Sequence, residues 1–344
     1  MGCGVLLTLT LFSATGCSAI AVALGLRIRL DKLPVTAVSA SLVDKRSGAT
    51  VVALGPGQAA QLVIVATTAD GKQYPTVGAG KGKVAFNNYT IEATLATATA
   101  GGQVSLPADP RISEGKSAHL RIAPVAHPEV VTEMDIPLRY DIAYSANFSG
   151  AAGASGSDGF DGSDGLSGSD AAPAPVDPTT GMVGTQGPGG DGGNGGNGTD
   201  GGPGGDGSPG VPVQVWVRLS RVAPPLLQVK VAGSGRESLF LVDPQGGTLR
   251  VLDDGGAGGP GGHGGRAGRG GSGGNGSPPG NSGSDGQAGS DGFPGSPGRA
   301  GTITMSVDPA AQSYLSCITT SNHGGDGIAG PPPTLNVEPV ASLW

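Results

Sequence analysis

The chain has 344 residues, of which 67 are glycine and 28 proline while aromatic residues make up only 4%, so it holds too little apolar bulk for one large hydrophobic core. Its net charge of −7 comes with no lysine/arginine run that could track a phosphate backbone, which argues against a nucleic-acid partner. Three cysteines, Cys3, Cys17 and Cys317, are too few and too scattered for a disulfide framework or a zinc site.

In chain order, residues 4–26 carry no charge, and the first basic residues are Arg27 and Arg29. Residues 1–29 therefore read as a signal or membrane anchor, and a plain spanning helix would fit that length. Within it, Ala14-Thr15-Gly16-Cys17 resembles the bacterial lipoprotein box, where small residues precede a cysteine that is lipidated and becomes the mature N-terminus. Ala14 stands where that family favours leucine, and no lysine or arginine precedes the apolar stretch. The resemblance implies lipidation at Cys17 and a chain anchored at the cell envelope, in the outer membrane, facing the periplasm or the exterior. Either reading exports the chain.

Residues 30–149 alternate apolar and polar residues in short runs separated by glycine, proline and Asp-Gly turns, the pattern of half-buried strands. Strands are predicted over residues 36–43 and 49–54, within 57–72 between a turn and an Asp-Gly hairpin, and over 83–86, 89–95, 118–122 and 132–140, a number that suits a β-sandwich. Pro56-Gly57-Gln58, the run ending in Ala66-Thr67 and the turn Asp70-Gly71-Lys72 resemble bacterial immunoglobulin-like domains. That resemblance implies an immunoglobulin-like β-sandwich.

A first glycine-rich block spans residues 150–210. Gly150 to Gly168 recur every third residue, with Asp158, Asp161, Asp164 and Asp170 in the third slot. After a proline-rich break the repeat returns as Gly189, Gly192, Gly195, Gly198, Gly201, Gly204 and Gly207, many triplets carrying a second glycine. Residues 211–254 read as a small β insert, with alternation at Val213, Val215, Val217 and Leu219, again at Leu227, Val229 and Val231, and a hairpin connection at 243–247. A second block, residues 255–301, carries Gly256, Gly259, Gly262, Gly265, Gly268, Gly271 and Gly274, then a glycine every third residue from Gly280 to Gly301, with Ser277 the one break. Residues 211–254 are too few for a large core, so their apolar face is expected to pack on something else, and C-terminal strands in residues 302–344, over 302–307, near 315–319 and over 334–337, are expected to complete the same sheet.

A strict period of three is that of a polyproline-II-type chain, which has no internal hydrogen bonds and must bond laterally. Collagen meets that need with three chains. The alternative is one chain folded back into a bundle of polyproline-II-type helices. Double glycine favours the bundle, because an outer helix is touched on one side and needs one glycine per turn, whereas an inner helix is touched on two and needs two. Residues 189–207 and 255–276 are thus expected inside, and 150–168 and 280–301 outside. The double-glycine triplets resemble the glycine-rich domain of Obg-type GTPases, glycine-rich antifreeze proteins and the tips of some phage tail-fibre adhesins. A lipobox, a β domain and interrupted glycine repeats together resemble collagen-like lipoproteins of gliding Gram-negative bacteria. The fold class expected is therefore mainly β and polyproline/polyglycine-II, an immunoglobulin-like β-sandwich followed by a glycine-rich bundle with an inserted small β-sheet.

Chemical constellations are sparse. His119, His127, His263 and His323 have no metal-ligand spacing. Gly78-Ala79-Gly80-Lys81-Gly82-Lys83 imitates a phosphate loop, but its first glycine is misplaced and no Ser or Thr follows the lysine, so a hairpin between strands accounts for it better. Asp158, Asp161 and Asp164 would hold calcium only weakly, since three residues per turn stacks them along one solvated edge. Cys317 reads as a buried thiol, with an intermolecular disulfide as the alternative. No cofactor, metal or catalytic residue is expected. The expected function is a non-enzymatic envelope lipoprotein with a structural or adhesive role, membrane-attached, monomeric rather than homotrimeric, with its surface or matrix partner open; a collagen-like trimeric spacer is the alternative.

Overall fold

The computed structural model describes residues 27–221 and 224–344. In the N-terminal part, β1 (Val35–Val43), β2 (Thr50–Val51), β3 (Ala59–Thr68), β4 (Gln73–Pro75), β6 (Thr97–Ala98) and β7 (Gln103–Ser105) form one antiparallel sheet in the order β2-β1-β3-β7-β6, with β4 also on β3. A second sheet has the order β5-β8-β9, from β5 (Tyr89–Thr94), β8 (Ala118–Pro124) and β9 (Thr132–Ile136). Every second residue of β3 is buried, the outcome of its period-two pattern. Leu62, Ile64 and Val104 of the first sheet meet Leu120, Ile122 and Ile136 of the second in one core.

The rest of the chain forms a second two-sheet unit. Its five-stranded sheet has the order β13-β12-β11-β15-β17, from β11 (Val213–Leu219), β12 (Leu227–Gly233), β13 (Arg236–Val242), β15 (Ile303–Val307) and β17 (Thr334–Val337). Its three-stranded sheet, β10-β14-β16, is all parallel and comes from β10 (Ala143–Asn147), β14 (Thr248–Leu252) and β16 (Ile318–Ser321). Val215, Val217, Val229 and Val231 of one sheet and Leu249 and Val251 of the other share a core, with Ile303, Val307 and the buried thiol of Cys317.

These sheets correct the fold class expected from sequence. Four sheets carry the structure, and among the described residues helices are limited to short 3-10 turns and a four-residue α-helix, Pro110–Ser113, so no bundle of helices forms. The apolar face of residues 211–254 does pack on other segments, and two of the C-terminal strands, β15 and β17, extend its sheet while β16 joins the other one. β11 pairs with β15 from the far side of the glycine repeat, and β14 leaves for the other sheet, between β10 and β16. The physical reason is burial: the apolar faces of the short strands 213–242 need a second layer, which β14 builds with β10 and β16 from two distant stretches. Smaller differences follow from local chemistry. The strand expected over 132–140 ends at Ile136, before Pro137, and the one at 83–86 is reduced to Val84, which bridges Ile28 and Thr76 and is followed by a 3-10 turn. Residues 309–317 form 3-10 turns capped by the Asp308 carboxylate, so the strand expected near Leu315 starts at Ile318.

The two cores share no residue, and β14 leads directly into the glycine-rich block. Leu249→Ala in the second core should cost about 2–5 kcal/mol and speed amide exchange throughout the glycine-rich segments. Leu120→Ala in the first core should cost a similar amount and leave those amides protected. Hydrogen exchange of the full chain distinguishes them; equal deprotection by both substitutions would contradict two separate cores.

Candidate functional site

The four glycine-rich segments emerge directly from strands of the second unit. β10 runs into the first segment (150–170), and the second (189–210) runs into β11; β14 runs into the third (253–276), and the fourth (280–301) into β15. None is helix or sheet by its own bonding. Each is extended backbone whose glycine N–H groups donate laterally.

The pattern of donation fixes the arrangement. Gly153, Gly156 and Gly159 of the first segment donate to the carbonyls of Ala257, Pro260 and His263 of the third. Gly256, Gly259 and Gly262 of the third donate to Ser208, Gly205 and Gly202 of the second. The second donates both ways, Gly193 to Leu166 in the first segment and Gly192 to Asn281 in the fourth. The fourth donates back to the third, as Gly283 to Gly271 and Gly292 to Gly262. The second and third segments thus bond to three neighbours each, and the first and fourth to two each, with no bond between those two. Donor–acceptor distances are 2.7–3.0 Å along the whole array.

Gly189, Gly192, Gly195, Gly198, Gly201, Gly204 and Gly207 lie in the second segment with their α-carbons against the third. A Cβ at any of them would fall within 3.0 Å of a backbone carbonyl there, that of Gly268 for Gly195. Gly256, Gly259, Gly262, Gly265, Gly268, Gly271 and Gly274 are all buried, and a Cβ on each would strike a carbonyl of the first segment, Ser157 for Gly262. The structure therefore brings both sets together along one seam. The second glycine of each triplet in the second segment is less confined: a Cβ at Gly193 would come no closer than 3.2 Å to any neighbour. That slack explains why Thr199 and Ser208 can occupy the same slot, and Thr199 Oγ1 accepts from Phe160 N–H. Cys17 lies outside the described residues.

The aspartates in the third slot have a role that the sequence reading missed. Asp158, Asp161, Asp164 and Asp170 accept, at 2.6–2.8 Å, the backbone N–H of His263, Arg266, Arg269 and Asn275. Asp191, Asn194, Asn197, Asp200 and Asp206 of the second segment do the same for Asn281, Ser284, Gln287, Ser290 and Ser296 of the fourth. Glycine N–H groups bond to carbonyls, and these side chains take N–H groups that the carbonyls leave over. The repeated Asp/Asn slot was the signal. Among the described residues no group of three or more His, Cys, Asp or Glu is placed to hold a metal ion.

The register comes from the sheets. Ala143 pairs with Thr248 in the parallel β10-β14 pair, and the same separation of 105 residues runs on through Asp158 to His263 and Asp170 to Asn275. Val213 pairs with Ile303 in β11-β15, and the corresponding separation of 90 links Asp191 to Asn281. The array is the continuation of two parallel strand pairs, one from each sheet, beyond the point where side chains hold the sheets apart. Packed sheets sit about 10 Å apart; past that point glycine lets the pairs close to backbone contact.

Asp253 marks the closure. Its side chain is fully enclosed, its Oδ1 accepts Val211 N–H at 2.7 Å across the gap, its carbonyl accepts Gly301 N–H, and its Oδ2 has no partner. A Cβ at Gly210 or Gly301 would collide with it. Burial, reinforced by the neighbouring Asp254 charge and opposed by the Val211 bond, pushes its carboxyl up to about 6.

Outward positions carry the chemistry available to a partner. Phe160, Leu166 and Phe293 are 81%, 84% and 84% exposed, and His263, Arg266 and Arg269 are exposed beside the first segment's aspartates. At the far end, the turn joining the first two segments exposes Val176, Met182 and Val183. The other histidines sit on the surface or against carboxylates: His119 Nδ1 is 2.8 Å from Asp135, and His323 Nδ1 is 3.4 Å from Asp254. No helix among the described residues is long and apolar enough to cross a membrane. Comparison with protein-family models, with curated proteins and with solved structures finds no match to this chain.

Two predictions follow from these contacts. Gly262→Ala should cost about 2 kcal/mol or more and abolish exchange protection at the neighbouring array amides, whereas Gly193→Ala should cost well under half of that; equal effects in thermal unfolding would contradict the seam. Asp253 is protonated more readily in the fold than in the unfolded chain, so it lowers stability as pH rises from about 4 through 6. Asp253→Asn should therefore gain on the parent chain between pH 5 and pH 7, by roughly 1–3 kcal/mol; a melting-temperature difference that stays constant over that range would contradict it.

Proposed function

We infer that the chain is a non-enzymatic, exported lipoprotein of the cell envelope, tethered through Cys17 to the outer membrane, whose glycine array acts as a rigid scaffold in surface structure or adhesion. The single observation that carries this reading is the array itself. Four extended segments with every seam filled by backbone hydrogen bonds make a rod of roughly 65 Å, at about 3.1 Å per residue over some 21 residues. Such a rod sets exposed side chains at a fixed three-residue spacing and holds a turn at its far end. Outward Phe160, Leu166, Phe293 and Met182 suit contact with another surface.

The monomer is favoured over a collagen-like homotrimer because the glycine N–H donors that a triple helix would direct to other chains already have acceptors within this one. The uncharged stretch of residues 4–26 and the Ala14-Thr15-Gly16-Cys17 sequence support the tether.

Fractionation tests the anchor. The parent chain, expressed in a Gram-negative host, should partition with outer membranes, and Cys17→Ser should release it from that fraction; unchanged outer-membrane retention of the variant would reject lipidation at Cys17.

A further inference from the structure

Near the start of the described chain lies an open cleft of about 780 Å3 in the N-terminal sandwich. Arg27, Lys45, Arg46 and Lys81 line it, and none of the four makes a salt bridge with a carboxylate among the described residues. Asp44 is the one acidic residue in the lining, and its Oδ1 is occupied by the N–H groups of Arg46 and Ser47 and by the Ser47 hydroxyl. Those bonds hold the Asp44 carboxyl below the usual range, with Ser47 N–H the main cause. In a chain of net charge −7, four cations against one carboxylate around one cavity are a local inversion of sign.

The fold assembles them from three places. The chain entry is pinned to the glycine loop, since Ile28 N–H donates to the Lys83 carbonyl and Ile28 bridges Val84, which sets Arg27 beside the loop that carries Lys81. Lys81 ends the Gly78–Gly80 turn in a left-handed conformation, φ 54°. Lys45 and Arg46 come from the turn between β1 and β2, tightened by Asp44 and Gly48. Beneath the cations the lining is apolar, with Val77, Ala85 and the nearly buried ring of Phe86. The residues 78–83 that fail as a nucleotide-binding loop thus find a use: the lysine is placed for an anion, without the strand-to-helix cradle that a triphosphate needs.

We propose that this cleft binds a phosphate-bearing anion, held by Arg27, Lys45, Arg46 and Lys81, with the apolar floor taking the glycerol end of a phospholipid headgroup. The cleft goes beyond the scaffold reading and does not depend on it. Arg27 directly follows the uncharged stretch 4–26, so an anionic headgroup is the nearest source if that stretch meets a bilayer. Free phosphate is the other source of the same chemistry. Arginine and lysine together suit it, since the guanidinium bonds two phosphate oxygens and the ammonium adds an adaptable point charge.

The test uses the full chain in neutral detergent, titrated calorimetrically with inorganic phosphate and, separately, with dihexanoylphosphatidylglycerol and dihexanoylphosphatidylcholine. Saturable binding of phosphate, or of the glycerol lipid but not the choline lipid, is the expected result, the first indicating a free anion and the second a headgroup. It should weaken at least tenfold in Lys45→Gln/Arg46→Gln/Lys81→Gln, whose melting temperature should match the parent because all three side chains are exposed, and it should weaken with added salt. Cys17→Ser should leave the affinity unchanged, which keeps this site separate from the anchor. Absence of saturation by both phosphate probes, equal binding of the choline lipid, or full affinity in the triple variant would overturn the proposal.

Discussion

The structure depends on one constraint: wherever four backbones meet without side chains between them, the N–H groups directed at a neighbour need an acceptor on it. An extended threefold chain has no internal hydrogen bonds, so acceptors must come from adjacent segments. Each such bond is worth about 1 kcal/mol net, and each glycine loses more conformational freedom on ordering than any other residue. A lone segment could not hold itself. Four segments, each bonded at every third residue, can, provided that something fixes their register first.

The second unit supplies that register. Its core of valine, leucine and isoleucine aligns two parallel strand pairs, and each pair continues into the array at an unchanged separation, 105 residues in one and 90 in the other. Hydrophobic burial thereby sets a pattern that hydrogen bonding extends far beyond the last apolar residue. Asp253 sits where one regime gives way to the other, its buried carboxyl taking the Val211 N–H while its backbone carbonyl already takes the Gly301 N–H. The asparagines and aspartates of the third slot serve the same economy, turning side-chain oxygens toward backbone donors of the next segment. A scaffold built this way keeps its outward side chains at fixed spacing, which is the property that a surface-contact role uses.

Much of the glycine pattern was legible because each period is a packing statement: the segments with one glycine per triplet bond to two neighbours and those with two bond to three. Alternation likewise exposed β3, β8 and β11. What stayed hidden depended on partners far away in sequence. Residues 143–147 carry too short a pattern to reveal that they pair with 248–252, and the period-three repeat gives no hint that its register is inherited from flanking strands. The helical description of the repeat failed for that reason: it treats as local what distant strands decide. Asp158 and its fellows read as a solvated acidic edge, a weak calcium holder at most, because sequence shows a carboxylate and its spacing, not the N–H group opposite. The cationic cleft was invisible for the same cause, since Arg27, Lys45 and Lys81 lie in three separate turns.

The most direct measurement is of the hydrogen bonds themselves, through couplings across them between amide nitrogen and carbonyl carbon in uniformly labelled full chain. The account predicts couplings from Gly262 N to the Gly202 carbonyl and from Gly292 N to the Gly262 carbonyl. It also predicts their absence between chains when separately 15N-labelled and 13C-labelled protein is mixed and refolded. Couplings in the mixed sample, or none to Gly202 and Gly262 in the uniformly labelled one, would contradict an array closed within a single chain.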